Sequence, residues 1–161
     1  MSTGSSPSGS GRQAPSRDAC IFCGIVAGRV RSSRILETPR LLAIVPLHPK
    51  SRGHCLVIPK RHAIRMHDLP DATVREIAVT LKRLAAAMDL RSYNLLQNNG
   101  PHANDRGVPP TRLVVDHVHF HLIPREAADG VRITARSRSN PTRKELDRMA
   151  SWIRRRLQPT P

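Results

Sequence analysis

His117-Val-His-Phe-His-Leu-Ile-Pro124 decides the reading of this chain. Histidine recurs at 117, 119 and 121, in alternation with Val118, Phe120 and Leu122. Side chains of a β-strand alternate faces, so the pattern predicts three imidazoles on one face and three apolar side chains in a core. Successive imidazoles would then stand roughly 7 Å apart. Histidine is the side chain whose ordinary pKa brings its charge change near neutrality, so such a row offers nucleophile, acid and base together. Two other readings of the stretch alone are a half-buried strand with solvent-facing histidines and a three-histidine metal site.

Outward from this strand the chain punctuates itself clearly. Cys20 to Ala27 reads as a short helical segment ending at Gly28, and Ile35–Glu37 and Leu41–Val45 as strands joined by a Thr38-Pro39 turn. Gly53–Pro59 reads as a further strand. Pro70-Asp71 opens the clearest helix, with Val74, Ile77, Ala78, Leu81, Leu84, Ala85 and Met88 at helical spacing. Tyr93–Asn98 is a strand, 99–112 a loop, and Leu113–Ile123 the histidine strand. Thr142-Arg-Lys-Glu145 is a capping-box pattern that starts a last helix running to about Leu157. Strands joined mostly by turns, with one long inserted helix and one C-terminal helix, give an α+β domain on an antiparallel sheet of about five strands. A Ser/Gly/Pro-rich stretch at 1–18 is expected to be a disordered tail, 19–130 the folded domain, and 131–161 a basic extension with a helix near 142–157.

The chain of 161 residues carries a formal charge of +15, and 23 of its 27 basic residues are arginine. That charge is compatible with attraction to phosphates, nucleic acid included, and equally with an arginine-rich solvated surface. No apolar run approaches the roughly 18 residues of a membrane span, and no secretory signal is visible, so no membrane partner is expected. Three cysteines do not make a secreted disulfide framework. Cys55 reads as a small buried hydrophobe, whereas Cys20-Ile-Phe-Cys23 has the spacing of a metal or redox pair.

Four motifs in order, Cys20-Ile-Phe-Cys-Gly-Ile25, Gly53-His-Cys-Leu-Val-Ile-Pro-Lys-Arg-His62, Tyr93-Asn-Leu-Leu-Gln-Asn-Asn-Gly100 and Val115-Asp-His-Val-His-Phe-His-Leu-Ile-Pro124, resemble the histidine triad superfamily. The similarity is to its Hint-like branch of nucleotide hydrolases that keep the cysteine pair. The resemblance implies that His119 is the nucleophile, attacking an α-phosphorus to form a nucleotidyl-histidine. It implies that His121 and Asn98 attend the phosphate and that His54 orients the triad from behind. It also implies a structural Cys₂His₂ zinc site from Cys20, Cys23, His62 and His117.

The activity so implied is hydrolysis of nucleoside 5′-monophosphate derivatives, adenosine 5′-phosphoramidates first, by a homodimer inside the cell, in the cytoplasm with the nucleus open to it. A dinucleoside polyphosphate hydrolase or phosphorylase and a catalytically weak nucleotide-binding scaffold are the alternatives. Three departures bear on substrate recognition. Pro46 stands where relatives carry a ribose-binding aspartate, Leu113 and Val114 replace polar residues before the triad, and the loop at 101–112 is longer than usual.

Overall fold

The computed structural model describes residues 19–100, 103, 115–132 and 141–157. The segment 1–18, Leu113, Val114 and most of the 101–112 loop lie outside the described residues. No described helix is long and apolar enough to cross a membrane. The chain forms two compact units, Met1–Val131 and Arg132–Pro161.

The first unit is an α+β arrangement. Five strands, β1 (Ser33–Glu37), β2 (Leu41–Val45), β3 (Cys55–Pro59), β4 (Tyr93–Leu96) and β5 (Phe120–Pro124), make one sheet in the order β1-β2-β3-β5-β4. Every neighbouring pair is antiparallel. Helix α1 (Ile21–Val26) precedes the sheet, and α2 (Asp71–Ala87) is inserted between β3 and β4.

Strand periodicity sorts the core into two faces. Leu41, Ala43, Cys55, Val57 and Leu122 pack with Ile77, Leu81, Leu84 and Ala85 of α2. The alternate residues Leu42, Ile44, Leu56 and Ile58 pack with Phe22 and Ile25 of α1. β2 and β3 are apolar nearly throughout because both of their faces are covered.

The register then fixes where the histidines go. Phe120, His121 and Leu122 pair with Val57, Leu56 and Cys55. Leu122 and Phe120 join the α2 cluster, so His121 falls beside Leu56 on the α1 face. One position in this frame demands glycine. Gly53 has φ +83°, and a β-carbon there would meet Met88 Sδ and Pro124 Cγ at 3.2 Å, which sets the close approach that delivers His54 into β3.

The expected strand at Leu113–Ile123 is shorter than its sequence pattern. Ladder pairing begins only at Phe120, leaving His117 and His119 in a lead-in that bends at Asp116 and His117. Two backbone bonds hold this lead-in: His117 N–H to the Val115 carbonyl at 2.9 Å, and Val118 N–H to the Ala63 carbonyl at 2.8 Å. The second ties the lead-in to the turn after β3 and takes the place of a ladder bond. Because the lead-in is not a flat strand, His117 does not share an open face with its partners. It is 1% exposed, while His119 and His121 are half-buried.

In the second unit, α3 (Arg143–Leu157) opens with the expected capping box. Thr142 N–H donates to Glu145 Oε2 at 2.7 Å, and Glu145 N–H donates to Thr142 Oγ1 at 3.4 Å.

Candidate active site

Cys20 and Cys23 bracket the start of α1, His62 lies just past the end of β3, and His117 sits in the lead-in to β5. Their ligand atoms all lie within 4.8 Å of one another. The separations are 3.4 Å for Cys20 Sγ to His117 Nδ1, 3.6 Å for Cys23 Sγ to His117 Nδ1, 3.3 Å for Cys23 Sγ to His62 Nδ1, and 3.3 Å between the two Nδ1 atoms. A tetrahedron with metal–ligand bonds of 2.0–2.3 Å has edges of roughly 3.3–3.8 Å, and these four separations fall in that range.

The protonation pattern agrees. His117 Nε2 lies 2.8 Å from the Pro59 carbonyl, which can only accept, so Nε2 carries the proton and Nδ1 presents a lone pair to the cluster. Two thiols and two imidazole nitrogens crowded at this range are a donor set for a metal ion.

The adjacent histidines carry a different pattern. His119 Nδ1 lies 2.8 Å from the His117 carbonyl. Its Nδ1–H therefore donates there, which leaves Nε2 as a free lone pair. Burial pushes the His119 pKa below its ordinary value, although the bond to the His117 carbonyl works against that shift. A neutral imidazole with its tautomer fixed is the form a nucleophile requires.

His121 is set from behind. Lys50 N–H donates to His54 Nδ1 at 2.9 Å, so the neutral His54 carries its proton on Nε2. That Nε2 lies 3.0 Å from His121 Nδ1, and the two rings stack 5.2 Å apart. His121 must then accept at Nδ1 and offer its own proton at Nε2. The rings of His119 and His121 stand 5.0 Å apart, edge to face. The result is one lone pair and one N–H donor side by side, which suits attack on a phosphorus whose oxygens need a donor.

Burial is the main cause that lowers the His54 pKa, with the Lys50 charge adding to it. His54 is 2% exposed. Since its folded pKa lies below the ordinary 6.5, the unfolded chain binds the proton first as pH drops. Its contribution to stability is complete above about pH 6.5 and is lost as pH falls through the folded value. The melting temperature of the wild type is therefore expected to decline on acidification below that point. In His54→Gln the decline should be shallower, which thermal melts across pH 5–8 would show.

The structure brings most of the residues named from the sequence into two neighbouring groups. Cys20, Cys23, His62 and His117 converge, and His54, His119 and His121 form a second group beside them. Asn98 lies two residues beyond Leu96, which pairs with His121 across β4 and β5. Pro46 directly follows the end of β2 and is half-buried.

One residue was missed. Phe22, read only as a spacer between the cysteines, packs its ring 5.0 Å from His119 and 5.8 Å from His117. An aromatic inside a Cys-x-x-Cys segment was the available signal. The Pro59 and His117 carbonyls, being backbone groups, left none.

The comparisons with known proteins meet this geometry. The family model for the HIT domain matches residues 27–128. This chain belongs to the HIT domain family. Among similar proteins is the adenosine 5′-monophosphoramidase of Saccharomyces cerevisiae, 44% identical over 107 residues that cover 66% of this chain. The matched region spans 63% of the yeast protein's length, less than two thirds of it. The crystal structure of a histidine triad nucleotide-binding protein from Candida albicans superposes with a TM-score of 0.74 at 30% identity, covering 86% of this chain and 97% of that one. A zinc-bound histidine triad family protein from Mycobacterium smegmatis gives a TM-score of 0.62 at 31% identity, covering 88% and 97%. The HIT domain thus accounts for the five-stranded sheet, and the cysteine pair lies just before the matched residues.

Proposed function

We propose that this HIT domain hydrolyses nucleoside 5′-monophosphate derivatives, with adenosine 5′-phosphoramidates as the leading substrate class, through a nucleotidyl-histidine at His119. The observation that carries the reading is the tautomer of His119 set by Nδ1–H on the His117 carbonyl, which puts the lone pair on Nε2. In the first step Nε2 attacks the α-phosphorus, a P–N bond to His119 forms, and the bond to the leaving amine breaks. The amine leaves with a proton taken from solvent. In the second step water attacks the same phosphorus, AMP departs, His119 regains its lone pair, and the water's proton goes to solvent.

His121 Nε2–H would hold a phosphate oxygen through both steps, kept in that role by His54. Asn98, two residues past the Leu96–His121 pair, would attend the same phosphate, a role its position supports. The name of the yeast relative supports the amide leaving group. Incubation with adenosine 5′-phosphoramidate and chromatography for AMP tests the assignment, and turnover at no more than the buffer rate would reject it.

His54→Ala removes the group that fixes the His121 tautomer. Turnover is expected to fall roughly ten- to a hundredfold in steady-state assays, with KM moving less.

Zinc is the ion we assign to Cys20, Cys23, His62 and His117. Two sulfurs and two nitrogens at tetrahedral spacing suit it, and one structural neighbour is named as zinc-bound. With four protein ligands the site has no open position, so its role is structural.

A homodimer is proposed from the edge of the sheet that no further described strand pairs. β4 is an edge strand with Tyr93 and Leu95 exposed, and it borders a depression of about 350 Å³. Met66, Val74, Leu81, Tyr93, Leu95 and Phe120 help line that depression, and none of the catalytic histidines does. A second copy would cover both edge and depression. An intracellular location fits cysteines that form no disulfide and lie in a metal-binding cluster.

Pro46 favours a second reading, a nucleotide-binding protein with weak catalysis. At the end of β2 it offers no side-chain acceptor to a ribose. Tight AMP binding without turnover would select it.

A further inference from the structure

Two separate contacts run from the metal cluster to the nucleophile. The first is covalent in origin. His117 gives its Nδ1 to the cluster and its Nε2–H to the Pro59 carbonyl, while its own carbonyl receives Nδ1–H of His119. Anchored on both sides of its ring, His117 has little freedom to move the carbonyl that sets the His119 tautomer. The second contact is through Phe22. It lies between Cys20 and Cys23, is 8% exposed, and places its ring edge-on to both His117 and His119. α1 is only six residues long and has no side-chain cap at its start; its far end is tied by Arg34 to the Ile25 carbonyl at 2.9 Å, while the cysteines and the core beneath set the end that carries Phe22.

We propose that Phe22 is a positioning residue for His119, and that occupancy of the Cys20–Cys23–His62–His117 cluster sets the nucleophile's orientation and tautomer through Phe22 and the His117 carbonyl. The cluster is then more than a brace for the fold. With an ion bound, the Cys-x-x-Cys turn presses Phe22 against His119, and the His117 carbonyl stays in line with Nδ1. Without an ion the two sulfurs and two nitrogens share no common bonding partner, and the two segments are held only by the core around Phe22 and by the bonds of His117 and Val118 to the Pro59 and Ala63 carbonyls. The turn carrying Phe22 and the lead-in carrying His117 then separate, and the His119 ring gains both a second rotamer and its second tautomer. The inference rests on the proposed role of His119 as nucleophile, but its contacts are independent of substrate.

The test uses the full chain with ¹⁵N-labelled histidine at a pH where the imidazoles are neutral. Ring-nitrogen chemical shifts report the tautomer of His119, and ring–ring NOEs report its contact with Phe22. The zinc-loaded protein is expected to show His119 as the single Nδ1–H tautomer with an NOE to Phe22. After zinc is chelated, the expected result is averaged ring-nitrogen shifts and loss of that NOE, both restored by added zinc. A metal-free protein that stays folded with the same shifts and the same NOE would overturn the proposal.

If chelation unfolds the chain, Phe22→Leu decides, since it keeps all four ligands. One zinc per chain with mixed His119 tautomers, and turnover reduced on the order of ten- to a hundredfold, is the expected outcome. A single tautomer and wild-type turnover in that variant would overturn the proposal. Because the shifts are read without substrate, failure of the phosphoramidase reading would leave this coupling visible, and failure of the coupling would leave turnover intact.

Discussion

Replacing His119 with alanine is expected to reduce AMP release from adenosine 5′-phosphoramidate by roughly 10³- to 10⁶-fold, the range seen when a covalent nucleophile is removed. The size follows from what the side chain does. His119 Nε2 carries a lone pair whose position is fixed, because Nδ1–H is tied to the His117 carbonyl. His121 cannot substitute. Its Nδ1 is occupied by His54, and its Nε2 carries the proton. His117 cannot substitute either, being 1% exposed with both nitrogens engaged. The variant should keep its fold, since His119 is half-buried and outside the ladder pairs. AMP binding measured by calorimetry should survive while the rate vanishes, which separates loss of chemistry from loss of structure.

The second large effect is expected from the metal. Chelating zinc, or changing Cys23 to serine, should lower the melting temperature by roughly 10 °C or more. Zinc held a thousandfold above its Kd adds about 4 kcal/mol to the folded state, and each kcal/mol shifts a domain of this size by roughly 2–4 °C. The four ligands come from α1, the turn after β3 and the lead-in to β5, segments far apart in the chain. These donors meet only in the folded chain, so the ion binds the folded state and its binding free energy becomes folding free energy. Calorimetric scans with and without added zinc measure the difference. Equal melting temperatures would show that the hydrophobic faces hold these segments without an ion.

Much of this arrangement was legible in the sequence because its local signals agree with its tertiary demands. The helix at Asp71–Ala87 and the strands from Ser33 to Pro59 follow from spacing, punctuation and apolar runs. The triad itself misled in one respect. Alternation at 117–121 predicts a continuous strand with a flat row of imidazoles, yet only His121 lies in the ladder. Alternation demands extended backbone, not pairing, and Val118 satisfies its N–H on Ala63 instead. The division of labour among the histidines then depends on backbone groups that carry no sequence signal. The Pro59 carbonyl turns His117 toward the cluster, the His117 carbonyl orients His119, and the Lys50 amide sets His54. A motif names the residues, but only the folded backbone assigns their protons.

Pro46 shows the opposite case. The absence of a carboxylate there is visible in the sequence, and the structure adds only its place at the end of β2. Leu113 and Val114 fall outside the described residues, so recognition of the leaving group rests on functional assay.

The stereochemical course at phosphorus tests the nucleotidyl-histidine most directly. Each in-line displacement inverts the phosphorus, so attack by His119 followed by attack by water gives net retention. An adenosine 5′-phosphoramidothioate of known configuration, hydrolysed in ¹⁸O-labelled water, reports the outcome. Retention is the predicted result. Inversion would mean a single attack by water, and would contradict His119 as the nucleophile.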